Sequence, residues 1–249
     1  MADVGDVAAA LRADGYFVTP PAIEPALVTR CRAAVERAQR AGVATVGAYV
    51  DDAAWELAVA VAPIAAAALG VPVVRQPSVW AWWVGGDGVP RGWPPHRDNP
   101  TDPIDDDDNP DAVTIWVPVT DATADNGCMY VVPRPWDLQY LNPAATLEFL
   151  SLQMVRAVPA PAGSVLGWTH HLIHWGALAR PGAPPRVSLS YQFQRADRPP
   201  SDGPVDRPDH VPIGAARTAL VIDQWHRYRH MHQQDDAALA ALTAFATAG

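Results

Sequence analysis

The sequence contains no lysine, and all 18 of its basic residues are arginine. Lysine is required for Schiff-base chemistry, for pyridoxal phosphate enzymes and for the phosphate-binding loop of nucleotide hydrolases. The absence of lysine therefore excludes these classes and any catalytic lysine base. The net charge of -9 argues against nucleic acid and anionic membrane surfaces as partners.

Cysteine is almost as scarce as lysine. Cys31 and Cys128 are too few for a disulfide framework or a thiolate metal site, and they fit a reduced cytoplasm. No apolar run reaches the about 18 residues of a membrane span without a charge or a proline. The N-terminus carries early acidic residues and lacks the basic region of a signal peptide. We therefore expect a cytoplasmic protein without a membrane-spanning segment.

The length of 249 residues suits one large catalytic domain. Helical periodicity predicts an N-terminal support in residues 1–70, with helices at 4–13, 23–41 and 52–69. Short β-type runs separated by Pro, Gly and Asn fill residues 71–195 and predict an antiparallel sandwich or barrel. Residues 196–249 read as an extended surface segment followed by helices at 215–231 and 235–248. The fold class expected is mainly β with flanking helices.

Tryptophan is plentiful, and eight of the ten tryptophans lie between Trp80 and Trp175. In "PSVWAWWV" the alternation of a strand places Trp80 and Trp82 on one face. We expect these two residues, together with Trp116, to line a pocket, although plain core packing remains an alternative. The Asn126-Gly127 pair predicts a turn between the strands "VTIWVPV" and "CMYVVP".

Two segments supply candidate metal ligands. In "WPPHRDNP", His96 and Asp98 are two residues apart, so a strand would direct both side chains to one face. The segment "WTHHLIHWGA" offers His170, His171 and His174, and the apolar and small neighbours of His174 favour it. Two histidines and one carboxylate leave three metal positions open, as non-haem Fe(II) oxygenases need for a co-substrate and O2.

These segments together resemble the phytanoyl-CoA dioxygenase-type branch of the Fe(II)/2-oxoglutarate oxygenases. The resemblance extends from Ala13 to Gln194. "PPHRDN" is similar to the His-x-Asp segment of that family, "GSVLGWTHHLIHWGA" to the segment of its distal iron histidine, and "RVSLSYQF" to the strand whose arginine holds 2-oxoglutarate. The family's "PGSH" is replaced by "PRPW" at 133–136, on the substrate side.

The resemblance implies a double-stranded β-helix core, a jelly-roll of the cupin-like kind, packed by the N-terminal helices. It implies Fe(II), 2-oxoglutarate and O2 as cofactor and co-substrates. It also assigns the site, with the iron ligands His96, Asp98 and His174.

For 2-oxoglutarate the resemblance implies Arg186 as the partner of the distal carboxylate, because a guanidinium binds a carboxylate through two parallel hydrogen bonds. Ser188 lies on the same strand face and can donate a third bond, and Trp116 matches an aromatic residue of the co-substrate pocket. Arg180 is a rival to Arg186, but its "ARPGAPP" context reads as a turn, whereas Arg186 opens a strand.

The function expected is hydrogen abstraction from an unactivated C–H of a small polar or amino-acid-derived metabolite in a biosynthetic pathway. Hydroxylation is the favoured outcome, and desaturation, epimerisation and ring closure stay open. The alternatives are a cupin-like metal-dependent isomerase or hydrolase without 2-oxoglutarate, and a non-enzymatic binding jelly roll. Arg186 and Ser188 argue against both, because neither alternative needs a carboxylate clamp.

Two other polar clusters are expected to be solvated. Residues 102–111 hold six aspartates in ten positions, which predicts a surface loop, or alternatively an entrance loop that favours cationic substrates. His226, His230 and His232 fall on a predicted helix without a carboxylate or cysteine partner, so we favour an exposed helix face over a zinc site.

Overall fold

The computed structural model of the protein describes residues 5–85, 92–105, 107–142, 150–228 and 235–248. The strands found there are β1 (Tyr16–Val18), β2 (Val73–Val84), β3 (Ala112–Pro118), β4 (Met129–Val132), β5 (Arg156–Val158), β6 (Leu166–Thr169), β7 (Ile173–Gly176) and β8 (Arg186–Arg195). They form two antiparallel sheets with the strand orders β1-β6-β3-β8-β2 and β5-β4-β7. The predicted class, mainly β with flanking helices, is confirmed.

The helices in the described residues are α1 (Gly5–Asp14), α2 (Pro25–Arg40), α3 (Asp52–Leu69), α4 (Gly214–Arg227) and α5 (Asp236–Ala248). The carboxylate of Glu24 caps α2 by accepting the Leu27 amide at 2.9 Å. Asp51 caps α3 in the same way, and α3 ends at Gly70, whose φ of 71° is the left-handed conformation that stops a helix. The three N-terminal helices therefore begin and end close to their predicted bounds.

The faces of β8 separate the core from the site. Val187, Leu189, Tyr191 and Phe193 are buried against the N-terminal helices, and the Tyr191 hydroxyl donates to the Ala54 carbonyl on α3. Burying one such side chain contributes roughly 1.5–3 kcal/mol, so this face ties the larger sheet to the helices. The alternate residues of β8 point to the opposite face of the sheet.

Helix α3 is long and apolar enough to cross a membrane by length and composition alone. However, 56% of its 18-residue window is buried inside the protein, and it packs against α1, α2 and β8. This is the position of a core helix.

Three features of the fold go beyond what the sequence predicts. The Asn126-Gly127 turn forms, with Gly127 at a φ of 87°, but it joins β3 to β4 in the other sheet. A strand was expected to carry the distal histidine, but the bounds of β7 were not predicted. The segment after β8 is anchored to β2, because Arg75 and Asp206 exchange two backbone hydrogen bonds of 2.8 Å.

Candidate active site

The two histidines of the predicted triad are held together through their backbones. His96 lies in the segment before β3, and His174 lies on β7. The two residues form an isolated β-bridge, in which the His96 amide donates to the His174 carbonyl at 3.1 Å and the His174 amide donates in return at 3.0 Å. A contact between segments 78 residues apart in the sequence is thereby fixed independently of any metal.

The side chains of His96, Asp98 and His174 converge. Oδ1 of Asp98 is 3.7 Å from Nε2 of His96 and 3.5 Å from Nε2 of His174, and one ligand atom from each residue lies within 4.8 Å of the others. Nδ1 of His96 is 2.9 Å from the Pro94 carbonyl, and Nδ1 of His174 is 3.0 Å from the Leu172 carbonyl. Each Nδ1 therefore carries the proton and each Nε2 offers a lone pair.

The second carboxylate oxygen of Asp98 is bound by two donors from the larger sheet. Thr114 Oγ1 on β3 donates to Oδ2 at 2.6 Å, and Trp168 Nε1 on β6 donates to it at 2.9 Å. Oδ1 is consequently the oxygen that faces the two histidines. Sequence reasoning missed both donors, although each lies on a strand next to Trp116 or the histidine segment.

The electrostatics favour a metal-binding protonation state. Burial would raise the pKa of Asp98, but the nearby His174, His170 and His96 and the Thr114 hydrogen bond lower it to about 2. Burial lowers the pKa of His174 to about 4. At neutral pH the carboxylate is ionised and His174 is neutral, which are the forms that coordinate a divalent metal. Two imidazoles and one carboxylate form a donor set that suits Fe(II).

We expect the two donors to Asp98 to tune metal affinity. Trp168→Phe or Thr114→Val should lower Fe(II) affinity by about 10- to 100-fold, the usual cost of losing an outer hydrogen bond to a metal ligand. Anaerobic Fe(II) titration measures the change. Trp175→Phe is the matched control, because Trp175 stacks on Tyr130 away from the triad; an equal loss in that variant would contradict a specific role for Trp168.

Arg186 opens β8 and is buried on the cavity side of the sheet. Its Nη1 donates to Ser188 Oγ at 2.9 Å, and its guanidinium carbon lies 5.3 Å above the ring of Trp116. Nε has no hydrogen-bond partner, and within the described residues no carboxylate lies within ion-pair distance. Burial lowers the pKa of Arg186 to about 10, so the group stays charged at neutral pH. A buried, unpaired guanidinium is costly and fits an absent anionic ligand.

Gly176, two residues after His174, leaves the space that Arg186 occupies. A Cβ on Gly176 would lie 2.9 Å from Nη2 of Arg186. Gly176→Ala should therefore displace the guanidinium and weaken 2-oxoglutarate binding by about tenfold, or about 1.4 kcal/mol, with Fe(II) affinity nearly unchanged. Isothermal titration of the Fe(II) protein tests this, and an unaltered 2-oxoglutarate affinity would mean that the guanidinium tolerates the methyl group.

One cavity of about 890 Å³ joins the triad and Arg186. Trp80, Trp82 and Trp116, which the sequence predicts as lining residues, all contribute to its walls. In β2 and β8, Trp80 pairs with Ser190 and Trp82 pairs with Ser188; Trp80, Trp82 and Ser190 line the cavity. Such a cavity can hold a small molecule with both apolar and hydroxyl surfaces.

Among the other candidates, His170 lines the same cavity as the triad, but its hydrogen bond is to the acidic loop. His170 Nδ1 is hydrogen-bonded to Asp102 Oδ2, and both side chains are buried. His171 faces the backbone carbonyls of Tyr140 and Asp102. The Arg180 side chain is 70% exposed, which leaves it outside the cavity. His226 is exposed on α4, and His230 and His232 fall outside the described residues.

The acidic loop is less solvated than its sequence indicates. Asp102 is buried next to His170, and the Asp105 carboxylate accepts hydrogen bonds from the backbone amides of Asp107 and Asn109. Other members pair with arginines, with Asp108 to Arg134 at 2.7 Å and Asp111 to Arg198 at 3.1 Å. Asp102, Asp105, Asp108 and Asp111 therefore have partners within the protein, and Asp106 falls outside the described residues.

A comparison of the sequence with protein-family models tests this resemblance. Residues 60–180 match the model described as phytanoyl-CoA dioxygenase (PhyH), a range that includes all three residues of the triad. This segment, somewhat less than half of the chain, is similar to the phytanoyl-CoA dioxygenase family. The match confirms the predicted enzyme class, a dioxygenase-type enzyme that uses iron and 2-oxoglutarate. No curated protein sequence matches the chain.

Solved structures of non-haem enzymes share the fold. The α-ketoglutarate-dependent epimerase SnoN from nogalamycin biosynthesis is 21% identical, with a TM-score of 0.63 over 86% of this chain and 94% of SnoN. The carbocyclase SnoK is 21% identical, with a TM-score of 0.59 over 77% of this chain and 84% of SnoK. The non-haem monooxygenase ThoJ is 14% identical, with a TM-score of 0.65 over 98% of this chain and all of ThoJ (100%). At these identities the likeness shows the jelly-roll fold.

Proposed function

We propose that the protein is an Fe(II)/2-oxoglutarate-dependent oxygenase that hydroxylates an unactivated C–H of a small molecule. The observation that carries the proposal is the buried, unpaired Arg186 in the same cavity as a His-Asp-His cluster. A metal-dependent isomerase or a binding module would have no use for an unpaired guanidinium at that depth.

His96, Asp98 and His174 would bind one Fe(II). Their free Nε2 and Oδ1 atoms already converge to within 4.8 Å, and the bonds from Thr114 and Trp168 orient the carboxylate. Because the ligand atoms are aligned before metal arrives, little conformational entropy is lost on binding. With three protein ligands, coordination positions would remain for the two co-substrates.

Arg186 and Ser188 would hold the distal carboxylate of 2-oxoglutarate. The guanidinium can give two parallel hydrogen bonds to a carboxylate, and Ser188 Oγ lies 2.9 Å from Nη1, where its hydroxyl can turn to the same anion. Trp116 lies under the guanidinium and shields the ion pair from water, which strengthens it.

Iron with 2-oxoglutarate and O2 supplies an oxidant that removes hydrogen from an unactivated C–H, with release of succinate and CO2. The contribution of this chain is positional. The indoles of Trp80, Trp82 and Trp116 line the cavity and would position the substrate beside the proposed iron site.

Hydroxylation is the outcome we propose, although the names of the structural neighbours include an epimerase, a carbocyclase and a monooxygenase. These outcomes share hydrogen abstraction and diverge after it. SnoN has been solved with Fe3+, α-ketoglutarate and nogalamycin RO, so a fold of this kind accepts a small-molecule substrate beside its co-substrate.

The test is O2-dependent succinate formation from 2-oxoglutarate by protein loaded anaerobically with Fe(II). Succinate should form slowly without a primary substrate and stop when 2-oxoglutarate or iron is omitted. Protein that binds Fe(II) but neither binds nor consumes 2-oxoglutarate would refute the oxygenase and leave the isomerase or the binding module.

A further inference from the structure

The C-terminal part of the chain supplies a pair of charged side chains to the cavity. Asp202 follows β8, and Arg227 is the last residue of α4. Arg227 Nη1 donates to Asp202 Oδ2 at 2.5 Å, and Ser78 Oγ on β2 donates to the same oxygen at 3.0 Å. The side chains of Asp202 and Arg227 are 35% and 33% exposed, so a ligand in the cavity can reach them.

This pair lies at the end of the cavity away from Arg186. Val84 pairs with Arg186 across β2 and β8, and Ser78 is six residues earlier on β2, or about 20 Å along a strand. Thr114, which binds Asp98, pairs with Gln192 at the same end of β8. Along the strands, the triad is therefore nearer to the Asp202–Arg227 pair than Arg186 is. A substrate bound at the pair would be close to the proposed iron site.

Among the described residues, the arginines that line the cavity leave no cation for a second anion. Of the arginines that line it in the described chain, Arg97 is paired with Asp137 at 2.7 Å and Arg227 is paired with Asp202. Arg186 is the unpaired one, and the proposed co-substrate neutralises it. A phosphate or carboxylate on the primary substrate would therefore be buried without a partner, at a large desolvation cost.

The Asp202–Arg227 pair still has hydrogen-bonding capacity. The hydrogen bonds that the described residues make to Asp202 use Oδ2, and those of Arg227 use Nη1. Oδ1 of Asp202 is thus available as an acceptor, and the remaining N–H groups of Arg227 are available as donors next to it. The ion pair as a whole carries no net charge. This combination complements neighbouring hydroxyl groups, each of which donates and accepts.

We propose that Asp202 and Arg227 recognise the primary substrate of the proposed oxygenase. This substrate would be an uncharged molecule with adjacent hydroxyl groups on a ring-shaped or apolar body. The body would pack on the indoles of Trp80 and Trp82, which line the same cavity. A coenzyme A thioester, with its phosphates, does not fit this pattern of charge.

Two matched probes test the proposal in the anaerobic protein loaded with Fe(II) and 2-oxoglutarate. Phenyl β-glucoside is a neutral ring with adjacent hydroxyls, and phenyl β-glucuronide differs by a carboxylate in place of one hydroxymethyl group. Isothermal titration should give at least about tenfold tighter binding of the glucoside. Equal or tighter binding of the glucuronide or of hexanoyl-CoA, or no binding of the glucoside at millimolar concentration, would overturn the proposal.

Asp202→Asn provides the sharper test, because it frees the Arg227 guanidinium inside the cavity. This variant should lose affinity for the glucoside and gain about tenfold for the glucuronide, a gain that misfolding cannot produce. Asp209→Asn is the matched control, since Asp209 pairs with Arg207 at 2.6 Å on the exposed surface; its probe preference should equal that of wild type.

The outcomes separate the two proposals. Wild-type protein that binds 2-oxoglutarate but prefers the glucuronide, or an Asp202→Asn variant that keeps the wild-type preference, sinks the substrate assignment and leaves the oxygenase intact. Wild-type protein that never binds 2-oxoglutarate removes the oxygenase itself, whatever the probes do.

Discussion

Anaerobic Fe(II) titration of His174→Ala should show no metal binding at micromolar iron, and the variant should form no succinate. His174 supplies one of three protein ligand atoms, and its Nε2 is oriented by the Nδ1 contact with the Leu172 carbonyl. Losing an outer partner of a metal ligand costs about 10- to 100-fold in affinity. Losing the ligand itself should therefore exceed a hundredfold.

His226→Ala is the control for this variant, because His226 is exposed on α4 and should bind iron and turn over like wild type. The metal-free His174→Ala protein should remain folded, because the bridge between His96 and His174 uses backbone atoms. Full iron occupancy with retained turnover in His174→Ala would transfer the ligand role to His170 or His171.

The second large effect is expected from Arg186→Leu. The substitution removes a charge-assisted bidentate bond and leaves the distal carboxylate of 2-oxoglutarate without a cation in a buried site. The loss should be on the order of 2–5 kcal/mol, or roughly thirty- to several-thousand-fold in 2-oxoglutarate affinity. Fe(II) affinity should survive, because the triad is untouched.

The measurement is a 2-oxoglutarate titration of the anaerobic Fe(II) protein, followed through the metal-to-ligand charge-transfer band that chelation of iron by a 2-oxo acid produces. Arg180→Leu is the matched control, because Arg180 is exposed and contacts Asp125 at 3.6 Å. If Arg186→Leu binds 2-oxoglutarate like wild type and Arg180→Leu does not, the clamp has been assigned to the wrong arginine.

Local patterns were sufficient to predict the elements whose signals are local. Helix α3 was predicted at 52–69 and occupies Asp52–Leu69, because a capping aspartate and a terminal glycine mark its ends. Strand β8 was predicted at 186–194 and occupies Arg186–Arg195, since its apolar and polar residues alternate. The bounds of strand β7 were not predicted, because four residues with a histidine and a glycine carry too little alternation to define a strand.

Contacts that depend on the three-dimensional fold could not be predicted in this way. Residues 196–214 read as an extended surface segment, and nothing local shows that Asp202 meets Arg227, 25 residues later, inside the cavity. The bond from Trp168 to Asp98 likewise joins residues 70 apart. Arg186 could be proposed from the sequence because it is the first residue of a predicted strand, whereas the absence of an acidic partner among the described residues became visible only in the structure.

Asp202 and Arg227 follow the candidate iron ligands and Arg186 in the sequence. If Asp202 and Arg227 recognise the substrate as proposed, substitutions between them would change substrate selectivity without altering the candidate iron ligand on β7 or Arg186 on β8. Exchange of this C-terminal stretch between related proteins is accordingly a direct route to altered selectivity with the oxidative chemistry retained.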